Sequence, residues 1–421
     1  MLNPSSAAGT RLACALPPST LRADIAAAVF DLRSSGPVSG YLYDPTVAAG
    51  RARQLRAALP AWATLLYAVK ANGAEPVVRA LLTEGGIDGL EVASISEAEL
   101  AADVLPAGRP LAAAGPAKHP ALLAGLLDHG VSVIHAESVT ELRRLDVLAR
   151  ERGRRLPVAL RVNPARVGVT GTLAMGGRSS AFGVPERDVP SAVAVAHSLP
   201  GVDLVGFHMH AVSGNRDALA HAAYVRWVLE WSIATARHLG VELRWIDAGG
   251  GLGVSYDGTD ALDLAVLAEE LGRLTPPAGV DVVLEPGRWL AADCGWYAAE
   301  VVDLKESHDA TFVIVRGGIN GYCLPATEDF PLPVSVLPVE QWDEPWTRPV
   351  REDVTVTVSG ELCTPEDVLI RDVRLDRVRV GDVLVFPHAG AYGYEFALRD
   401  FLGHPSATRT FLAGAPAPAL P

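Results

Sequence analysis

The stretch LLYAVKANG, residues 65–73, sets an apolar run against a single lysine and follows it with a turn. A short apolar run closed by Asn72 and Gly73 reads as a buried strand, which leaves the ammonium of Lys70 at the strand's end and off any solvated face. A charge in that position is costly unless it is paired or used. The plain alternative is a lysine that has reached solvent or met a carboxylate, and the rest of the chain decides between the two.

Outward from Thr64 the same texture repeats. The runs TLLYAV, GLEVAS, PLAAAG, VSVIHA, PVALRV, LVGFHMH, LRWIDAGG and VDVVLEP make eight strand candidates. Between them, segments such as AEPVVRALLTEGG and SVTELRRLDVLARERG carry Leu, Val and Ala at spacings of three and four and close on Gly, as amphipathic helices do. Eight such units, mostly without alternating polarity in their strands, predict an α/β protein with a TIM-like (β/α)8 barrel over residues 45–289. A doubly wound sheet is the competing arrangement. After residue 290 the pattern changes to TFVIVRGG, DVTVTVSG, LDRVRVGDVLVF and GAYGYEF, alternating runs broken by Gly and Asp. These predict a C-terminal β domain, residues 290–421, joined by residues 1–44 through the strand-like VSGYLYD.

With 421 residues, 49% of them hydrophobic, the chain buries a large core. A net charge of −13 without any basic cluster argues against a grip on nucleic acid or an anionic membrane. No segment reaches the length of uncharged apolar run that spans a bilayer. Cys14, Cys294, Cys323 and Cys363 are scattered without CxxC spacing, and MLNPSSAAGTRLACALPPST lacks the basic start and apolar core of an export signal, so reduced thiols and a cytoplasmic location are expected. The Ala/Pro tail AGAPAPALP is expected to fray.

On this scaffold the polar residues gather. Lys70 ends the first strand, Glu91 lies in the second, His135 ends the fourth and Arg161 lies in the fifth; HMHAVSG, DAGGGLG and EPGR follow the sixth, seventh and eighth. All fall at the C-terminal end of the barrel, where this fold places its active sites. Taken singly, each has a dull alternative, such as a satisfied core histidine or a carboxylate capping a helix. The glycines of GGGLG, with Ser213 and Arg288, form an expected anion site, because backbone N–H groups approach a phosphate closely where no Cβ intervenes. The spacing is neither a Walker loop nor a dinucleotide fingerprint. A lysine able to form a Schiff base, a phosphate cradle and a carboxylate for a pyridinium nitrogen are the fittings that pyridoxal 5'-phosphate requires.

The succession YAVKAN, HMHAVSG, DAGGGLG, EPGR, ELCTPED and AGAYGYEF resembles the fold-type III pyridoxal phosphate decarboxylases, the ornithine and diaminopimelate decarboxylase family with its alanine racemase-like fold, along nearly the whole chain. The resemblance implies that Lys70 carries the cofactor as a Schiff base, that His210 stacks on its ring, and that Glu285 holds the pyridine nitrogen. Ser213, Gly249, Gly250, Gly251, Arg288 and Tyr392 would surround the phosphate, with Arg161 and Glu91 close to the cofactor, although relatives often carry Asp where Glu91 stands. It also implies that Cys363 is the general acid, that Asp367 of the same motif lies at the substrate, and that a head-to-tail homodimer shares its active sites, with Cys363 and Tyr392 arriving from the domain after the barrel.

Two departures narrow the substrate. Diaminopimelate enzymes carry Arg-Pro and then Leu-Tyr where this chain reads VRGGINGYCLPA. The Gly-Gly segment leading to LPA, paired with CTPED, is more similar to decarboxylases of carboxylate-siderophore pathways acting on a citrate conjugate of diaminopropionate, although many of those have histidines where Asn320 and Gly321 stand. A citryl group calls for cations, and Arg316 is the candidate. Decarboxylation of a free diamino acid (diaminopimelate, ornithine or lysine) is the alternative. A racemase on the same barrel would pair the pyridine nitrogen with arginine and use a tyrosine base, against which Glu285 and Cys363 speak. A non-catalytic cofactor carrier is typically a lone barrel.

Overall fold

The structure, a computed structural model, describes residues 15–328 and 332–412; Cys14, most of the N-terminal segment read above, and the Ala/Pro tail lie outside them. One compact unit comprises Ala48–Val254 with Asp260–Leu290, and the other takes the described residues of 1–47, 255–259 and 291–421.

The first unit is a closed barrel of eight parallel strands: β1 (Ala63–Ala68), β2 (Gly89–Val92), β3 (Leu111–Ala113), β4 (Val133–Ala136), β5 (Leu156–Asn163), β6 (Val202–His208), β7 (Trp245–Asp247) and β8 (Asp281–Leu284). Each pairs with the next, and β8 returns to β1 through Val282↔Ala63, Val283↔Thr64 and Leu284↔Leu65, which excludes the doubly wound sheet. The helices between them begin where the sequence signals them. Ser94 and Ser138 accept the backbone N–H groups of Glu97 and Glu141, satisfying donors that the first helical turn leaves open. In the helix Glu75–Thr83 the residues Val77, Val78, Leu81 and Leu82 are buried, the stripe that its spacing predicts.

The interior explains how an apolar barrel delivers polar groups to one end. Leu66, Ala112, Val133, Ala159, Val205, Trp245 and Val283, from seven different strands, pack as one buried layer. Side chains on a strand return to the same face every second residue. So Val133 is followed by His135, Ala159 by Arg161, Trp245 by Asp247 and Val283 by Glu285. In β6 the pairing slips between Leu204 and Gly206. An added Cβ at Gly206 would sit 1.7 Å from the carbonyl oxygen of Trp245, so only glycine allows the slip that turns both Val205 and His208 inward.

In the second unit, Gly295–Ser307 pairs with Ser39–Tyr43, Val383–Phe386 and Ala310–Val315, and the sheet continues into Val350–Ser359 and Val368–Arg379. VSGYLYD therefore joins this sheet. Two features differ from the sequence reading. Residues Ala23–Ser35 form an α-helix whose Ile25 and Val29 pack on Leu42, Ala298, Val383 and Val385. GAYGYEF is a series of turns, in which Tyr392 adopts φ 54°, outside the strand region. Among the described residues no helix is long and apolar enough to cross a membrane.

Candidate active site

Lys70 follows β1 in a short 3-10 turn, Val69–Ala71. Its amine is ion-paired with Glu91 of β2, whose side chain is fully buried while that of Lys70 is 42% exposed. Burial pushes the Glu91 carboxyl up, Lys70 opposes that shift, and Glu285 adds to it. The chain has three lysines, Lys70, Lys118 and Lys305. Lys118 is 1% exposed and lies 2.7 Å from Glu141; Lys305 is a surface residue of the other unit, 3.6 Å from Asp303. Lys70 alone combines an accessible amine with the polar end of the barrel.

The turn after β7 carries Gly249 at φ 68° and Gly251 at φ 106°, backbone that favours glycine. An added Cβ at Gly250 would lie 2.2 Å from the Glu285 carbonyl, and one at Gly249 would lie 2.6 Å from His210 Nδ1. The Gly250 N–H donates to His210 Nδ1 at 3.0 Å. Burial drives the His210 imidazole well below its usual range, so the neutral ring carries its proton on Nε2. Gly250→Ala is expected to cost about 1–3 kcal/mol through overpacking and to weaken cofactor retention after dialysis; unchanged melting and retention would show that the turn tolerates a side chain.

Arg161 is buried and donates to Glu137 at 2.7 Å, with Phe182 beneath its guanidinium at 4.7 Å. Glu137 also accepts the N–H groups of Gly115 and Gly183, so Arg161 is held in place. Ser213 sits in a two-residue ladder with Leu173, and Arg288 is buried just past Glu285. Cys363, Arg316, Asp367 and Tyr392 belong to the β unit. There Asp367 is buried and accepts N–H groups from Ile319 and Leu362 at 2.7 Å each, tying the loop of Arg316 to that of Cys363, whose thiol is free and exposed. Asp367 thereby braces these two loops against each other.

Sequence reasoning passed over one group. The buried side chains of His135, His208 and Asp247 converge with Glu285, their ring nitrogens and carboxylate oxygens within 4.8 Å of one another. The signal was present in the second-residue spacing behind each core residue.

The geometry fits pyridoxal phosphate. Buried Glu91 Oε1 and Glu285 Oε1 have no hydrogen-bond partner in the protein, the glycine turn is packed too closely to admit side chains, and the accessible amine of Lys70 lies beside Glu91. The pyridoxal-binding domain described as "Pyridoxal-dependent decarboxylase, pyridoxal binding domain" matches residues 48–292. This chain belongs to the pyridoxal-dependent decarboxylases. Its cofactor is pyridoxal 5'-phosphate. Over 379 residues the decarboxylase is 33% identical to the 2-[(L-alanin-3-ylcarbamoyl)methyl]-2-hydroxybutanedioate decarboxylase of Staphylococcus aureus, covering 88% of this chain and 93% of that one. It is 32% identical to the diaminopimelate decarboxylase of Archaeoglobus fulgidus, covering 83% and 82%. The fold matches diaminopimelate decarboxylase from Helicobacter pylori complexed with L-lysine at a TM-score of 0.78 and 23% identity, over 91% and 94% of the two chains.

Proposed function

We propose that this decarboxylase acts on an amino acid whose side chain carries a citrate-type 2-hydroxy polycarboxylate through an amide, a precursor of a carboxylate siderophore. The near full-length similarity to the staphylococcal enzyme, whose name describes such a compound, carries the reading. The segment VRGGINGYCLPA supports it, since it lacks the Arg-Pro and Leu-Tyr pattern noted above. Arg316 on that segment is the cation for the distal carboxylates. The test is carbon dioxide release from the citryl conjugate, diaminopimelate, ornithine and lysine. The conjugate is expected to lead in kcat/KM by at least about 100-fold, as when a site built around charged groups meets an analogue lacking them. A free diamino acid ranking first would replace this reading with its alternative, which the similarity to diaminopimelate decarboxylases supports.

Bound at the barrel's mouth, pyridoxal phosphate supplies an electron sink for the pair left when the carboxylate departs. The chain's residues do the rest. Lys70 would hold the cofactor through its ε-amine. Gly249, Gly250 and Gly251, with Ser213, Arg288 and Tyr392, would hold the phosphate, His210 would pack on the ring and Arg161 would lie close to it. Glu285 keeps a proton on the ring nitrogen. Cys363 returns a proton to the substrate's α-carbon.

In this reading the protein is a cytoplasmic homodimer in which Cys363 and Tyr392 serve the partner's barrel; the free, exposed thiol suits a reducing compartment. Cys363→Ala should still release carbon dioxide but protonate the wrong carbon, yielding an aldehyde and the cofactor's amine form. Mixing Lys70→Ala with Cys363→Ala protein should then restore activity, up to about a quarter of wild type when half the dimers are mixed and each has one complete site. No recovery under conditions where subunits exchange would place Cys363 in its own chain's site.

A further inference from the structure

The four buried groups behind the cofactor position pose a problem of protons. His135 Nε2 lies 3.4 Å from Asp247 Oδ2 and His208 Nε2 lies 3.4 Å from Glu285 Oε2, while His135 Nδ1 is 3.9 Å from Glu285 Oε1. The two rings stack at 4.1 Å. Yet both nitrogens of both histidines, Asp247 Oδ2 and Glu285 Oε1 lack a well-formed hydrogen bond. Neither Asp247 nor Glu285 has an ion pair to lysine or arginine among the described residues, and Asp247 is fully buried. Burial also holds both imidazoles well below their usual range, so neither supplies a counter-charge.

Two carboxyl groups in contact, without a cation, cannot both ionise. Asp247 and Glu285 are such a pair, with carboxylate oxygens within 4.8 Å of one another in the buried cluster.

We propose that Asp247 is carried as the neutral acid and donates its proton in a hydrogen bond to Glu285, acting as the positioning residue that leaves Glu285 as the one anion of the cluster, aimed at the cofactor ring.

Burial, then the neighbouring Glu285, and more weakly Glu91, push Asp247 well above the carboxylate range, against the single N–H of Gly249. A neutral Asp247 uses every part it has. Oδ1 accepts the Gly249 N–H at 2.7 Å, which fixes the first residue of the glycine turn, while the acid proton fixes Glu285. One side chain thus ties the phosphate turn to the carboxylate at the ring nitrogen. The inference rests on the role of Glu285 proposed above.

Asn is the isostere of a neutral acid: it accepts from Gly249 and donates to Glu285 but never ionises. In the holoenzyme, D247N is expected to keep the visible cofactor band and its pH profile, with kcat/KM within about 5-fold of wild type, while D247A loses about 10- to 100-fold, the scale for removing an outer partner that orients a working group. Infrared difference spectra of holoenzyme at neutral pH should show a neutral carboxylic acid band that D247N lacks. Carbon-13 labelling of aspartate in the unmutated protein should shift this band, separating it from Glu91 and Glu141, while its loss in D247N separates it from Asp367, whose carboxyl burial also pushes up. An absent or unshifted band, D247N as impaired as D247A, or one bound divalent metal per chain in the purified enzyme would overturn the proposal. If the band stands while Glu285→Gln keeps full turnover, the role of Glu285 fails and the proton on Asp247 does not.

Discussion

Lys70→Ala protein should lose turnover by on the order of 10⁴-fold or more, because the lysine side chain supplies the tether that removes the entropy of bringing cofactor and substrate together. Borohydride treatment of the wild type should fix the cofactor on a single tryptic peptide, that of Lys70, and the variant should fix none. The protein should still fold. Glu91 is left without its cation, but burial already favours its neutral form, so a proton replaces the ammonium. A label on Lys118 or Lys305 would overturn the assignment, and the geometry disfavours both, the first for its buried pairing with Glu141 and the second for its surface position.

Glu285→Gln should lower turnover by about 10²- to 10³-fold, the scale seen when one group placed against developing charge is removed. Glutamine preserves the shape but holds no negative charge, so the ring nitrogen loses the partner that keeps it protonated. Cofactor content should stay at wild-type level, since Lys70 and the glycine turn are untouched. Normal turnover with full cofactor occupancy would move the pyridine nitrogen elsewhere.

How much of this was legible beforehand depends on the kind of signal. Barrel strands buried on both faces read as plain apolar runs, and TLLYAV, PVALRV and VDVVLEP announce themselves without neighbours. The clustering of polar residues at strand ends follows once the strands are counted. The layer beneath them was not legible, because it needs register. His208 faces inward only through the slip at Gly206, and Asp247 looks in sequence like the start of a turn when it is the last inward residue of β7. The turn at Tyr392 was hidden for a similar reason: GAYGYEF alternates like a strand, and the left-handed backbone of Tyr392 shows only in the folded chain. The helix Ala23–Ser35 left a trace in Ile25 and Val29, one turn apart in an Ala-rich segment.

The scarcity of lysine has a practical side. With three ε-amines in 421 residues, amine-reactive footprinting becomes a three-channel assay read from one digest. Lys305, 62% exposed, reports reagent dose and serves as the internal standard. Lys118, buried against Glu141, stays silent until the fold opens and so records global unfolding. Lys70 is blocked when loaded and reactive when empty, so its modification counts vacant sites. Occupancy and integrity are then scored together in a crude mixture, without purification and without knowing the substrate.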